Sequence, residues 1–248
     1  MGGKIVLSKR MQAVADMVED RSRVCDVGCD HGYISIYLVQ SEKSPHVIAM
    51  DVKKGPLMRA QDHMRKYGVE DYITLRLSDG LAAYQTGEAQ ELICAGMGGR
   101  LMLRILKDFP EKTADFRSLI LQPQSEIPFF RSELRSMGYG IVKEALIREE
   151  DKFYPVIKAV RISEDCRLAA SQADHVMEDL LGPLIIRERP PELQQFIHRE
   201  MRIKEQILNQ LQVQKETEKN RQRKEELEEE LYVLKRAERM LSRERKKD

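Results

Sequence analysis

The chain has 248 residues, 42% of them hydrophobic, which is enough for one sizeable α/β core with an appendage but not for two catalytic domains. Its formal net charge of +1 at pH 7 indicates neither the presence nor the absence of a nucleic-acid partner. No apolar run approaches the roughly 20 residues that span a bilayer, and the first residues lack the pattern of a secretion signal. We therefore expect a soluble, cytoplasmic protein without a membrane partner.

The first two thirds of the sequence alternate short β-branched runs with amphipathic stretches, the pattern of a parallel sheet covered by helices. The predicted strands are residues 24–27, 46–50, 73–77, 91–95, 119–121, 140–146 and 154–160. The predicted helices are residues 8–18, 34–41, 55–66, 100–107 and 128–136. Because no helix separates the last two strands, we expect a mostly parallel seven-stranded sheet that ends in an antiparallel hairpin, which differs from the standard dinucleotide-binding dehydrogenase.

The sequence changes character after residue 162, so we predict an α/β domain over residues 1–162 and a helical linker with a coiled-coil domain over residues 163–248. From Glu192 onward there is no Gly or Pro, and Glu, Gln, Lys and Arg dominate. Two apolar stripes predict two long helices: Leu193, Ile197, Met201, Ile207, Leu208 and Leu211 form the first, and Leu227, Leu231, Leu234 and Leu241 the second. The polar stretch 217–223 between them suggests an antiparallel pair within one chain, although such short stripes can also pair two chains. We expect a monomer or a weak dimer through the coiled coil.

The four cysteines, Cys25, Cys29, Cys94 and Cys166, have neither the spacing of a zinc site nor that of a disulfide framework. The five histidines include no pair at helical ligand spacing. We expect reduced thiols near a core and no metal.

The most informative segment is the run Cys25-Asp26-Val27-Gly28-Cys29-Asp30-His31-Gly32-Tyr33, where the first strand turns into a helix. Glycines at such a turn let the backbone approach a ligand closely. Asp30 stands where the dinucleotide fingerprint has its second glycine, and its carboxylate would repel a pyrophosphate but suits a sulfonium or an amino-acid group. The loop therefore favours a nucleoside cofactor over a dinucleotide, the alternative being an ordinary strand-to-helix connection.

Acidic residues follow the second and third strands as well. Asp51 lies 23 positions after Gly28, near the interval at which an acid binds ribose hydroxyls. It could instead cap the next helix. Asp79, followed by Gly80, could accept a hydrogen bond from an adenine amino group. Three acids at successive strand ends reinforce one another, because ligands bind at this edge of α/β sheets.

The fourth strand ends in the loop Ala95-Gly96-Met97-Gly98-Gly99. Three glycines and no charge let its backbone approach a flat, uncharged group, so we interpret it as the floor for a nucleobase. A tight turn that caps the following helix is the alternative. The segment Gln122-Pro123-Gln124 closes the fifth strand and offers an amide that can pair with a base edge.

These segments together resemble the bacterial TrmK family. The resemblance covers almost the whole chain, including Gly182-Pro183 and the C-terminal hairpin. It is carried by Leu7-Ser8-Lys9-Arg10, the two glycine loops, Leu121-Gln122-Pro123, and Glu149-Glu150-Asp151 with Tyr154. The family consists of class I (Rossmann-like) methyltransferases that modify N1 of adenine 22 in tRNA. Two positions depart from it, because the family often has Ala in place of Gly32 and Glu in place of Asp51.

The resemblance implies S-adenosyl-L-methionine as cofactor, lying across the strand ends, and no metal. The cofactor-binding residues it implies are Asp26, Gly28, Asp30, Gly32, Asp51, Asp79, Gly80, Ala95 and Gly96. The residues expected to position the substrate are Asp30, His31, Gly96, Met97 and Gly98. Asp30 would stabilise positive charge that develops on the base. His31 would either relay a proton or make a hydrogen bond at the start of the helix.

The tRNA partner implied by this resemblance must release a stacked adenine, which costs a few kcal/mol and requires tRNA contacts elsewhere. Basic residues are candidates for phosphate contact: Lys9, Arg10, Arg59, Arg65 and Lys66 in the α/β domain, and Lys215, Lys219, Arg221, Arg223 and Lys224 at the hairpin tip. The tip could equally be a solvated turn. The alternatives are a methyltransferase that acts on another base, a protein or a small molecule, or a tRNA-binding protein whose cofactor site has decayed.

Overall fold

The computed structural model describes residues 3–163, 175–214 and 217–244. The chain divides into two units, Met1–Ala173 and Asp174–Asp248. The last strand of the first unit ends at Arg161. The domain boundary expected after residue 162 stays a prediction, and Cys166 and Lys215 lie outside the described residues.

Seven strands form one sheet in the described part of the first unit. They are β1 (Val24–Val27), β2 (Val47–Asp51), β3 (Ile73–Leu77), β4 (Glu91–Met97), β5 (Ser118–Pro123), β6 (Tyr139–Glu149) and β7 (Lys152–Arg161). Their order is β3-β2-β1-β4-β5-β7-β6, with β1 to β5 parallel and β7 antiparallel to both of its neighbours. This confirms the predicted Rossmann-like sheet with its antiparallel end. The strand order reverses between β1 and β4, and such a reversal opens a crevice at the carboxyl ends of the strands.

Helices cover the sheet. Those of the first unit are α1 (Lys9–Asp16), α2 (Tyr33–Gln40), α3 (Lys54–Tyr67), α4 (Gly99–Asp108), α5 (Pro110–Asp115) and α6 (Ile127–Ser136). The short helix α5 was not predicted, because its six residues bury only Thr113 and therefore give no apolar periodicity. Its one sequence signal is Pro110 at the first helical position, where a missing N–H costs nothing.

The central strands are buried on both faces, as expected for a parallel sheet. All residues of β1 and of β5 are buried. The described cysteines, Cys25, Cys29 and Cys94, are free and buried, which confirms that they are thiols near the core. Burial raises the pKa of all three, so these thiols stay protonated at neutral pH.

A buried ion network ties the loop after α1 to the amino ends of the central strands. Lys158 Nζ donates to Glu91 Oε1 (2.8 Å), to Glu19 Oε1 (3.0 Å) and to the carbonyl oxygen of Met17 (3.0 Å). Ser118 Oγ also donates to Glu91 (2.6 Å). The hydrogen bond from Lys158 lowers the pKa of Glu19. A buried charge is tolerated only when it is paired in this way, and the network fixes α1 against the sheet.

The second unit is helical where it is described. Its helices are α7 (Val176–Leu181), α8 (Pro183–Glu188), α9 (Pro191–Gln212) and α10 (Glu218–Glu244). His198 pairs with Glu238 (2.7 Å) and Lys204 with Glu230 (2.6 Å), so α9 and α10 run antiparallel, as predicted. None of the described helices has the length and apolar character needed to cross a bilayer.

The turn between α9 and α10 lies earlier in the sequence than expected. The stretch 217–223 was predicted to interrupt the two helices, but α10 already begins at Glu218. Thr217 Oγ1 accepts a hydrogen bond from the backbone N–H of Asn220 (3.2 Å), so Thr217 caps the start of the helix. Arg221 pairs with Glu218 (2.9 Å) one turn away. The polar stretch is therefore a solvated first part of a helix.

Candidate active site

A cleft of about 630 Å³ opens at the carboxyl ends of β1, β2 and β4, where the strand order reverses. It is lined by Arg10, Met11, Asp26, Val27, Gly28, Cys29, Asp30, Ile34, Asp51, Val52, Lys53, Pro56, Ser78, Asp79, Gly80, Ala95, Gly96, Met97, Leu101, Arg104, Ile105 and Gln124. Of the predicted site residues, His31, Gly32 and Gly98 do not line it.

The loop between β1 and α2 passes over the end of β2. The backbone N–H groups of Gly28 and Cys29 both donate to the carbonyl oxygen of Met50 (2.8 and 3.0 Å). Gly28 has a φ of +75°, and a β-carbon on it would lie 2.0 Å from Met97 Cε. Glycine at this position therefore allows both the left-handed turn and the packing of Met97 against it.

The carboxylate of Asp51 is held between two loops. Oδ2 accepts a hydrogen bond from the backbone N–H of Asp30 (3.3 Å), and Oδ1 accepts one from the backbone N–H of Lys53 (2.9 Å). An ionised carboxylate has about four acceptor positions, so two remain for a ligand in the cleft. Asp51 thus presents a fixed carboxylate to the cleft.

Asp79 lies beyond the end of β3, where its carboxylate is largely exposed, 3.8 Å from Arg104 Nη2. Gly80 follows with a φ of +54° and packs against Ile105 of α4. The backbone N–H of Ser78 donates to the carbonyl oxygen of Asp51 (2.9 Å), which joins this loop to the end of β2. The predicted acids Asp51 and Asp79 therefore line one cleft.

Asp26, at the end of β1, is a buried carboxylate. Its Oδ2 accepts a hydrogen bond from Ser35 Oγ (2.7 Å). The pKa of Asp26 is raised to about 6: burial is the main cause, the hydrogen bond from Ser35 opposes it, and the negative charge of Asp51 adds to it. This carboxylate therefore changes its charge within the neutral to mildly acidic range.

Asp30 lies in the exposed part of the β1–α2 loop, with a φ of +48°. Its carboxylate is 3.6 Å from Arg59 Nη2 on α3 and 3.5 Å from His31 Nε2. Arg59, predicted to contact phosphate, therefore already has an ionic partner in Asp30. The carboxylate remains accessible to a positively charged group in the cleft.

The side chain of His31 makes no hydrogen bond to the start of α2. The N-cap of α2 is Gly32, which has a φ of +72°, and no side chain caps the helix. A β-carbon on Gly32 would lie 3.1 Å from the β-carbon of Ala60. The ring of His31 instead stacks on Tyr33 (5.5 Å between centroids) and His63 (5.8 Å). Its Nδ1 is buried and has no partner among the described residues. His31 thus belongs to an aromatic stack beside the cleft.

The loop after β4 contains a β-bulge. β4 extends through Met97, two residues beyond its predicted end, and its register with β5 shifts between Ala95 and Met97. Gly96 has a φ of +81° at the shift. Ala95, Gly96 and Met97 all line the cleft, and the side chain of Met97 packs against Gly28 and lies near Cys94 (Sδ to Sγ 3.8 Å).

The two glutamines at the end of β5 differ in their surroundings. Gln122 is fully buried, accepts a hydrogen bond from Arg10 Nη1 (2.8 Å) and donates to the carbonyl oxygen of Pro123 (3.1 Å). Arg10 also lies over the ring of Tyr154 (5.5 Å). Arg10, predicted as a phosphate contact, is therefore part of the cleft, and Gln124 provides the exposed amide.

Comparison with known proteins assigns the chain that forms this cleft to a family. The model of a methyltransferase domain matches residues 7–157. The chain is 30% identical over 232 residues to the tRNA (adenine(22)-N(1))-methyltransferase of Bacillus subtilis, covering 94% of this chain and 97% of that protein. This chain belongs to the TrmK family of methyltransferases.

Solved structures of TrmK relatives share the fold. The crystal structure of the B. subtilis m1A22 tRNA methyltransferase TrmK has a TM-score of 0.84 at 30% identity, over 95% of this chain and 100% of that one. A Streptococcus pneumoniae protein, described as a candidate tRNA (m1A22) methyltransferase in complex with S-adenosyl-L-methionine, has a TM-score of 0.81 at 28% identity. The match covers 94% of this chain and 100% of that one.

Several residues of this TrmK-family cleft were not predicted from the sequence. Met11 belongs to α1, and Leu101, Arg104 and Ile105 belong to α4. The available signal in α4 was its amphipathic pattern, with Leu101 exposed while Ile105 is buried. A helix that follows a ligand-binding glycine loop presents its first turns to the same cleft, so this pattern could have identified them.

Proposed function

We propose that this chain transfers the methyl group of S-adenosyl-L-methionine to N1 of adenine 22 in tRNA. The observation that carries the proposal is the cleft at the ends of β1, β2 and β4, with Gly28, Asp51 and Asp79 around it, in a chain of the TrmK family. The B. subtilis relative is named for this reaction. Such a protein acts where tRNA is, so we propose a cytoplasmic location.

The residues of the cleft fit the chemistry of this cofactor. A ribose diol suits the fixed carboxylate of Asp51, an exocyclic amine suits the exposed carboxylate of Asp79, and the backbone at Gly28 would leave room for the methionine part. When bound, S-adenosyl-L-methionine supplies a methyl group activated by a sulfonium. The Gly28 loop contributes the carboxylate of Asp30 to the cleft, which suits a positively charged sulfonium.

The protein's contribution to the reaction is positioning and electrostatics. Adenine N1 carries a lone pair at neutral pH, so no base is needed to expose it, and alignment of the two reacting atoms dominates the rate. The backbone of Ala95 and Gly96 holds the base from below. The carboxylate of Asp30 stabilises the positive charge that develops on the adenine. His31, whose Nδ1 is buried within the aromatic stack, supports this loop.

The tRNA needs contacts beyond the cleft, because extrusion of a stacked base costs a few kcal/mol. The exposed cations of the α/β unit and of the helical hairpin provide them. We propose that the chain acts as a monomer, since α9 and α10 already pair their apolar faces with each other.

The test is mass spectrometry of nucleosides from an unmodified tRNA incubated with the protein and isotope-labelled S-adenosyl-L-methionine. We expect labelled 1-methyladenosine, which disappears when adenine 22 is replaced by guanine. Cofactor binding without any methylated nucleoside would disprove the tRNA substrate while leaving the cofactor assignment intact. Absence of cofactor binding would disprove both.

A further inference from the structure

The side-chain amide of Gln124 is available at the end of β5. It is exposed, lines the cleft, and has no side-chain hydrogen bond among the described residues. The neighbouring amide of Gln122 is buried and is hydrogen-bonded through its oxygen to Arg10 and through its nitrogen to Pro123. A ligand that reaches this end of the sheet therefore meets the amide of Gln124.

Gln124 is held over the floor of the cleft. Its backbone N–H donates to the carbonyl oxygen of Met97 (2.9 Å). A β-carbon on Gly96 would lie 3.8 Å from Gln124 Nε2 and 3.7 Å from Arg10 Nη1. Both polar groups thus border the same side-chain-free patch of backbone, on which a flat ring can lie.

The chemistry of an amide selects adenine at this patch. A glutamine amide offers one donor and one acceptor side by side, which match the N7 acceptor and the N6 donor of adenine in a bidentate pair. Guanine presents two acceptors, O6 and N7, along the same edge and leaves the amide oxygen facing O6. The amide of Gln124 therefore favours adenine over guanine.

The position of the methylated atom selects the edge. On adenine, N6 lies between N1 and N7. An amide paired with N1 and N6 would occupy the lone pair that must attack the methyl group. An amide paired with N6 and N7 leaves N1 free, so only this pairing is compatible with methylation at N1.

We propose that Gln124 reads the N6/N7 edge of the target adenine above Gly96, with Arg10 bordering the same subsite. The subsite rests on the proposed function, since it supplies the base that the methyl group reaches. It explains why Gln122 and Gln124, two residues apart, have different roles. Gln122 positions Arg10, and Gln124 contacts the substrate.

The test compares two tRNAs, one with adenosine and one with 7-deazaadenosine at position 22, in which N7 is replaced by C–H. The variants are Gln124→Ala and, as a matched control, Gln85→Ala, which removes an exposed amide outside the cleft. On the adenosine tRNA we expect Gln124→Ala to lower kcat/KM by about 10- to 100-fold, the range of one bidentate base contact. On the 7-deazaadenosine tRNA, which lacks the N7 acceptor, we expect a much smaller further loss. Gln85→Ala should match the unmodified protein on both.

The affinity for S-adenosylhomocysteine, measured by calorimetry, separates base reading from general damage. We expect it to stay unchanged in Gln124→Ala. An equal loss on both tRNAs, no loss on either, or a weakened S-adenosylhomocysteine affinity would overturn the subsite. Gln124→Glu, which keeps the size but lacks the donor to N7, should lose activity in the same way as Gln124→Ala. If the unmodified protein fails to methylate the adenosine tRNA, the proposed function itself is wrong.

Discussion

The buried carboxylate of Asp26 makes the stability of the fold depend on pH. Its pKa of about 6 lies above the ordinary value of 3.8, so the folded state holds the proton more tightly than the unfolded state. The contribution of Asp26 to the free energy of unfolding is therefore most favourable at low pH, and it is lost as the pH rises from about 4 to about 6. The shift corresponds to a penalty on the order of 3 kcal/mol above pH 6.

We expect Asp26→Asn, which keeps an acceptor for Ser35, to be more stable than the unmodified protein at pH 8 and nearly equal to it at pH 4. Chemical denaturation at several pH values measures this. Asp62→Asn, at an exposed position on α3, should show no such divergence. A stability difference that is the same at pH 4 and pH 8 would contradict the raised pKa.

Asp51 gives a second prediction at this scale. Removing a charged acceptor from a ligand costs about 1.5–3 kcal/mol per hydrogen bond, so Asp51→Ala should weaken S-adenosylhomocysteine binding by about tenfold or more. Calorimetric titration measures the affinity, and Asp62→Ala is the control for a surface aspartate on a neighbouring helix. An unchanged affinity for S-adenosylhomocysteine in Asp51→Ala would show that Asp51 does not bind the cofactor.

Residues at strand ends could be predicted from the sequence, but partners across the fold could not. Gly28, Asp51 and Asp79 follow recognisable strands, and the ends of parallel strands meet at one edge. The hydrogen bond between Arg10 and Gln122 spans 112 positions, and nothing local to either residue indicates it. The same holds for the difference between Gln122 and Gln124, which depends on burial by other elements.

Two adjacent glycines fix the junction of β4, α4 and the β5–α6 loop. A β-carbon on Gly99 would lie 2.6 Å from the backbone carbonyl oxygen of Ser125, whereas one on Gly98 would lie 3.1 Å from the Ser125 hydroxyl, which can rotate. We expect Gly99→Ala to destabilise the fold by about 1–3 kcal/mol, the range for overpacking, and Gly98→Ala to cost clearly less. Thermal unfolding of the two variants side by side measures this. Equal losses would show that Ser125 does not constrain α4.

At the level of whole elements, the sequence predicted types and order better than ends. The seven strands were found because each is an apolar or β-branched run. The extension of β4 to Met97 was missed because Gly96, where the bulge lies, ends the continuous apolar run. The start of α10 was missed because a polar, charged stretch has no apolar stripe, although Thr217 provides a capping signal.

At the scale of the whole molecule, net charge is uninformative and the placement of unpaired cations matters. Arg236 and Arg239 of α10 are exposed and have no ion-pair partner among the described residues. At the tip, Arg221 pairs with Glu218, and Arg223 pairs with a glutamate one turn further along. Arginines without an ion pair are freer to contact phosphate, so the part of α10 around Arg236 and Arg239 is a better candidate surface than Arg221 and Arg223 near its start.

We expect Arg236→Ala combined with Arg239→Ala to weaken tRNA binding and to reduce the slope of log affinity against log salt by roughly 1 per lost phosphate contact. Arg221→Ala combined with Arg223→Ala should change the slope less. Filter binding at several salt concentrations measures both. If Arg221→Ala combined with Arg223→Ala reduced the slope more, the phosphate contact would lie at the hairpin tip instead.

The sheet topology and the family could both be reached from the sequence, because the glycine loops and strand-end acids are local features with fixed spacing. The contacts that bring α1, β5 and β7 together at the cleft could not, since Arg10, Gln122 and Tyr154 come from distant parts of the chain.

The most direct test of the central claim is primer extension on an unmodified tRNA after incubation with the protein and S-adenosyl-L-methionine. A methyl group on N1 blocks Watson–Crick pairing, so we expect reverse transcription to stop immediately before position 22 is copied. The stop should weaken strongly in Asp51→Ala at limiting cofactor and vanish when adenine 22 is replaced. No stop, or a stop at another adenine, would contradict the assignment of the cleft as a site for methylation of adenine 22.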